Sequence, residues 1–167
     1  AASLLGGEHY VAIDGSILPT VDLLAVLGAH VRSGSAATVV VEAKDRQSSG
    51  DERLTPAGVY VFARRALELV GPTGYQDIKE VLIPRLRRER EPVTAYRATE
   101  PALRVQSLDG YLAAQAWQLC RIRAAGSGPA GYTLRQGACV HDTATVAPDA
   151  RLLGDVMVGP GTTIGAG

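Results

Sequence analysis

The sequence predicts an α/β domain followed by a short parallel β-helix. Three observations lead there: strand-like and helix-like segments alternate from His9 onward, the first apolar run ends in a polar turn, and the stretch from Ala138 repeats every six positions. The opening run "HYVAI" places four apolar or aromatic residues in a row, Tyr10 to Ile13, which suits a strand covered on both faces in the middle of a parallel sheet. Just past the carboxyl end of such a strand is where α/β proteins keep their chemistry, so Asp14, Gly15 and Ser16 become candidate site residues by position.

"TVDLLAVLGAHVRSG" follows, with Val21, Leu24, Val26, Leu27 and Val31 as its apolar positions, Thr20 as the expected N-cap and Gly34 as the stop. The β-branched run Ala36 to Ala43 comes next, completing a strand–helix–strand unit of the kind that makes a right-handed crossover. "KDRQSSGDERLTPAG" lacks periodicity and is dense in turn residues, so an exposed loop is expected. Beyond it, Gly58 to Ala63 reads as a strand and "RRALELV" as a short helix ended by Gly71 and Pro72. "YQDIKEVLIPRLRRERE" starts a helix near Asp77, carries Ile78, Val81, Leu82 and Leu86 on one side, and has Pro84 at an expected kink or joint. The arginine-rich end of that segment reads as a solvated face. "PVTAYRA" and "ALRVQ" are short strand candidates. Ser107 to Ala125 reads as a long helix with Leu112, Ala116, Leu119 and Ile122 on its apolar face, along which Trp117 and Cys120 are expected to pack rather than react.

The C-terminal stretch has a different period. Val140, Val146, Leu152, Val158 and Ile164 recur at intervals of six, and Ala144, Ala150, Val156 and Thr162 hold a second register. Three hexads make one triangular coil of a parallel β-helix, with the aliphatic residue of each pointing inward and glycines such as Gly154, Gly159, Gly161 and Gly165 at the corners. The expected domains are residues 1–125, a linker at 126–137, and the repeats at 138–167. So short an array needs support from the first domain, another chain, or further coils.

Composition narrows the function classes. The chain has 167 residues, 46% of them hydrophobic, enough for one ordinary core. Seventeen basic residues balance seventeen acidic ones with no basic stripe, so no nucleic-acid partner is expected. No apolar run reaches the roughly 20 residues of a membrane helix, and "AASLLGGEHY" lacks the basic start of a signal peptide. Cys120 and Cys139 have no metal-ligand spacing and suit reduced thiols. A cytoplasmic location without a membrane partner is the expectation.

Five motifs carry a family resemblance. "YVAIDGSIL", "GVYVF", "YQDIKEVLIPRL", "SLDGYLAAQ" and the hexapeptide tail, in this order, resemble the C-terminal half of a sugar nucleotidyltransferase, closest to the mannose-1-phosphate guanylyltransferase and glucose-1-phosphate thymidylyltransferase branches. The resemblance implies a partial nucleotidyltransferase-like, Rossmann-like sheet whose N-terminal half is missing, followed by a truncated left-handed β-helix. It also implies a reaction of nucleoside triphosphate with sugar 1-phosphate that releases pyrophosphate, assisted by Mg2+ on two carboxylates.

Neither carboxylate is present. The first falls on Ser16, whose neutral hydroxyl is a poor sole ligand for Mg2+; Asp14, two residues earlier, is the one candidate substitute, and its simpler role is an Asp-Gly turn. The second falls on Arg104, seven residues before Tyr111, and a guanidinium cannot ligate a cation. Arg104 is expected to neutralise a phosphate or to pair with a carboxylate such as Asp109. Gly6 and Gly7 are not followed by the family's phosphate-loop pattern, and Pro56 and Lys44 lie in an altered sugar-contacting segment. The substrate-binding candidates are thus Asp14, Gly15, Ser16, Gly58 and Arg104, with no catalytic residue assigned.

The leading expectation is a degenerate, non-catalytic relative with a regulatory or scaffolding role and no cofactor, binding a second copy or an active paralogue, with a nucleotide sugar as candidate ligand. The alternative is a fragment of an active transferase that uses Mg2+. A third reading, a hexapeptide-repeat acyltransferase, rests on His141 beside Asp142. An open sheet edge in a half-domain calls for a covering partner or a homodimer.

Overall fold

The computed structural model describes residues 6–43, 53–71, 73–135 and 137–166. The chain divides into two compact units, Ala1–Arg104 and Val105–Gly167. This boundary groups the long helix with the repeats, whereas the sequence suggested grouping it with the first domain.

The first unit is built on a four-stranded sheet in the order β1-β4-β3-β5, comprising β1 (His9–Ile13), β3 (Ala37–Ala43), β4 (Leu54–Ala63) and β5 (Val93–Arg97). β4 runs antiparallel to both β1 and β3, and β5 runs parallel to β3. β1 and β3 therefore point the same way with β4 between them, so the strand–helix–strand unit is real but its strands are not neighbours. β1 is an edge strand, not a central one: its residues alternate between exposed and half-buried, and Val11 and Ile13 are each 42% exposed.

β4 is buried on both faces and starts at Leu54, earlier than Gly58, so residues expected in a loop are part of the sheet. Its side chains alternate, as the pleat requires. Val59 and Val61 join Val26, Val40 and Ile17 in one cluster, against which Leu23 and Leu27 of α1 (Leu23–Ser33) pack. Tyr60 and Phe62 face the opposite cluster with Leu82 and Leu86. Those leucines come from a five-residue π-helical turn, Ile78–Leu82, and from α3 (Ile83–Arg88), while α2 (Arg64–Glu68) supplies Ala66. Pro84 falls in the first turn of α3, where its missing N–H leaves no bond unmade, so the expected joint sits there. Arg87, Arg88, Glu89 and Arg90 are exposed, while Arg85 donates to the Leu69 carbonyl at 2.7 Å.

The cap of α1 is Asp22, not Thr20. The Asp22 carboxylate accepts from the Leu24 and Ala25 amides, and the Thr20 hydroxyl donates to the Glu100 and Pro101 carbonyls instead. Gly34 closes the helix in the left-handed region at φ 62°. The buried face is also shifted: Leu24 and Val31 are exposed, and Val26 and His30 are buried. Lys44, with the rest of 44–52, lies outside the described residues.

The second unit holds α4 (Leu108–Ala124), capped by Ser107, and the strands β7 (Tyr132–Arg135), β8 (Ala138–His141), β9 (Thr145–Val146), β10 (Met157–Val158) and β11 (Thr163–Ile164). In α4, Ala114 is buried, Trp117, Leu119 and Ile122 are half-buried, and Leu112 is exposed, so the expected apolar face is only partly used. Cys120 is exposed and Cys139 buried. Part of the expected linker is strand, since β7 pairs antiparallel with β8. β10 lies parallel to β8 and β11 parallel to β9, each partner eighteen residues away, three six-residue steps. Val140, Val146, Leu152, Val158 and Ile164 all meet in one cluster with Ala138.

One buried group makes the first unit sensitive to acid. His30 Nδ1 lies 2.8 Å from the Thr38 hydroxyl, which in turn meets Thr94, and His30 Nε2 has no hydrogen-bond partner among the described residues. Burial, then the neighbouring His9 and Arg65, hold its pKa below the usual 6.5. The unfolded chain takes up this proton near pH 6.5 while the folded chain resists it, so stability is constant above that pH and falls as pH drops below it. The melting temperature should therefore decline from about pH 6.5 downward, and His30→Gln should flatten the first part of that decline; a wild-type profile level down to pH 5 would contradict the assignment.

Candidate functional site

The turn after β1 is closed by its own side chains. The Asp14 carboxylate accepts from the Ser16 amide at 3.0 Å and the Ser16 hydroxyl at 2.8 Å, the local Asp-Gly turn anticipated from sequence. The two Ser16 bonds, more than the Lys79 and Arg104 charges, hold the exposed Asp14 carboxyl below the ordinary carboxylate range. Asp14 also donates its amide to the Gly58 carbonyl at 2.9 Å. Gly58 has φ 84°, and a Cβ added there would come within 3.2 Å of Asp14 Cβ and of Ile17 Cδ1. Glycine is thus required by both conformation and space.

Two residues beyond Gly15, the chain enters β2 (Ile17–Leu18), which pairs antiparallel with β6 (Leu103–Arg104), setting Ile17 opposite Arg104. The five sequence candidates, Asp14, Gly15, Ser16, Gly58 and Arg104, are thereby gathered at one end of the sheet. Arg104 pairs with Glu42, a carboxylate that sequence reasoning left unassigned, and not with Asp109. Arg104 Nη2 donates to Glu42 Oε1 at 2.6 Å, and Glu42 Oε2 accepts from the Ala102 amide at 2.8 Å. The Glu42 side chain is 9% exposed and that of Arg104 44%. Both carboxylate oxygens of Glu42 are therefore occupied. The signal for Glu42 was available: it is the one charge in the apolar strand "ATVVVEA".

A Mg2+ ion of the kind the resemblance implies does not fit these donors. One carboxylate, Glu42, is held by a guanidinium and an amide, and Asp14 already spends one oxygen on Ser16. The implied second ligand position carries the cation Arg104 itself.

Beside the turn lies a cavity of about 310 Å³ lined by Ala12, Asp14, Tyr60, Gln76, Asp77 and Lys79. Asp77 caps the π-helical turn, accepting from the Lys79 and Glu80 amides at 2.7 Å each. Tyr60 is 4% exposed; burial first, then Asp77 and Asp14, push its hydroxyl pKa up. The neutral phenol can donate toward either carboxylate or toward a ligand. Of these lining residues, the sequence places Asp77 near the start of a helix and Tyr60 in a strand, and it singles out neither Lys79 nor Gln76.

In the second unit, His141 Nδ1 lies 2.8 Å from the Thr143 hydroxyl, and Thr143 accepts from the Gly161 amide at 3.0 Å. The His141 ring also meets Tyr132 edge-on, and Asp142 accepts from Thr133 at 2.8 Å. His141 and Asp142 therefore have structural partners of their own and do not form a dyad with each other.

No protein-family model matches the chain, and no curated protein matches its sequence. Solved structures share its fold. One, described as a glucose-1-phosphate thymidylyltransferase from Bacillus anthracis, is 13% identical with a TM-score of 0.54, the match covering 70% of this chain and 56% of the other. HddC from Yersinia pseudotuberculosis is 10% identical with a TM-score of 0.52, covering 68% of this chain and 56% of its own. The same protein with GMP-PN gives a TM-score of 0.51. The chain thus has a nucleotidyltransferase-like α/β fold and spans little more than half the length of these structures.

Removing the guanidinium should expose how much the site depends on it. Arg104→Met leaves Glu42 half-satisfied in a buried position; the expected loss is about 1.5 kcal/mol, the low end for a hydrogen bond to a charged group because Arg104 is half exposed. Denaturant unfolding measures it, and an unchanged midpoint would mean the pair contributes nothing.

Proposed function

We propose that this chain is a catalytically silent relative of the sugar nucleotidyltransferases, acting as a regulatory or scaffolding subunit that binds a nucleotide sugar without a metal. The observation that carries this reading is the Glu42–Arg104 pair: a guanidinium stands beside the Asp14 turn, where the resemblance calls for a carboxylate. A fixed cation attracts a diphosphate at rest but cannot shift its coordination along a reaction path as Mg2+ does. Binding would therefore persist while pyrophosphate chemistry would not.

On this reading the hexapeptide segment is the beginning of a left-handed parallel β-helix, supported by ladders that join residues eighteen apart. The exposed edge of β1 favours a second chain, either another copy or an active paralogue. The sugar 1-phosphate branches named by the resemblance set the ligand class, a nucleoside diphosphate sugar.

A second reading, part of an active transferase, draws on the 56% coverage of the structural neighbours. The two differ in one assay. With nucleoside diphosphate sugars in hundredfold excess over the dissociation constant, linkage stabilises the fold by about 2.7 kcal/mol. The proposed function expects this thermal shift to be the same with Mg2+ and with a chelator, and no pyrophosphate release from matched triphosphate and sugar 1-phosphate. Magnesium-dependent pyrophosphate release by the purified chain would overturn it.

A further inference from the structure

A second cavity, about 330 Å³, opens on the α3 face of the sheet and shares Tyr60 and Lys79 with the first. Its walls are aliphatic: Val39, Val41 and Val93 from the sheet, and Ile83 from α3. Among the described residues its charged lining is Lys79 and Arg87, with no carboxylate. Both cations are exposed, and neither side chain has a hydrogen-bond or ion-pair partner among the described residues. An apolar pocket whose charges, among the described residues, are two cations without ion-pair partners is complementary to an apolar body that carries one negative charge.

Tyr60 supplies an independent observation. It is 96% buried in complement to its 4% exposure, yet its hydroxyl has no hydrogen-bond partner among the described residues, and the residue lines both cavities. Among the described residues only His30 Nε2 is a buried side-chain atom without a partner, so the Tyr60 hydroxyl reaches the solvent of the cavity and is open to a ligand.

We propose that this cavity binds a small amphipathic carboxylate, an aromatic or short acyl acid. The carboxylate is held by Lys79 and Arg87, the Tyr60 hydroxyl donates to it, and the apolar body lies against Val39, Val41, Ile83 and Val93. The site does not depend on the nucleotide-sugar reading, since Arg87, Val39, Val41 and Val93 belong to none of the motif positions used there.

The test uses the full chain with octanoate and benzoate as probes, octanol and benzyl alcohol as neutral counterparts, and acetate as a charged probe without an apolar body. Titrations followed by amide and side-chain NMR shifts are expected to perturb Tyr60, Ile83 and Val93, with each acid bound roughly tenfold or more tighter than its alcohol, the range of a charge-assisted hydrogen bond, and acetate without effect. Replacing both cations, Lys79→Met with Arg87→Met, should bring acid and alcohol to equal affinity. Tyr60→Phe should weaken octanoate several-fold without lowering the melting temperature, because the hydroxyl it removes has no partner in the fold. Equal binding of acid and alcohol by the wild type, shifts mapping elsewhere, or no binding would each overturn the proposal; so would a Tyr60→Phe protein that melts lower but binds octanoate unchanged.

Discussion

The architecture of the first unit depends on β4 being buried on both faces. A strand between two neighbours, with α1 on one side and the π-turn and α3 on the other, must be apolar at every position from Ala57 to Ala63, and it is. Each of its large side chains contributes about 1.5–3 kcal/mol of burial, and no other strand contributes to both clusters so evenly. That burial fixes the register of β4 against β1, and Gly58, next to the last paired residue Val59, receives the Asp14 turn. The position of Asp14 is a consequence of packing, not of any bond it makes to a ligand.

The same strand end sets the electrostatics. Glu42 lies at the end of β3, next to β4, and a carboxylate so buried must find partners or lose its charge. It takes both partners from the segment around β6: the Ala102 amide and the Arg104 guanidinium. The result is a satisfied acceptor and a cation whose remaining N–H groups reach solvent beside Asp14 and Tyr60. On the proposed function, this one residue is what would hold an anion in place and keep a metal from being ligated.

The patterns most visible in the sequence were those with a strict period or a chemical contradiction. The hexapeptide register located every residue of the second unit's cluster from Val140 to Ile164 except Ala138, because a six-residue step leaves no other way to bury the aliphatic positions. The alternation of Val59 and Val61 with Tyr60 and Phe62 was equally readable. Sequence patterns misled where burial depends on which strand lies next to which. "HYVAI" has the composition of a central strand, yet β1 is at the edge, since periodicity carries no information on sheet order. The cap of α1 moved from Thr20 to Asp22 because the Thr20 hydroxyl is drawn to carbonyls eighty residues away in sequence. Arg104 was recognised as the wrong residue for a metal, but Glu42 as its partner required knowing that β2 and β6 pair. Tyr60, Asp77 and Lys79 each have a good structural reading alone, and only their meeting around one cavity marks them as a site.

On the proposed function, Arg104 stands in the position a divalent cation would need. Manganese, an Mg2+ mimic with an electron-spin signal, tests this most directly when titrated into the wild-type chain and into Arg104→Asp. No stoichiometric Mn2+ binding by the wild type is expected, and a gain of binding when the guanidinium is replaced by a carboxylate beside Asp14. One tightly bound Mn2+ per wild-type chain, lost on Asp14→Asn and untouched by the change at Arg104, would contradict it.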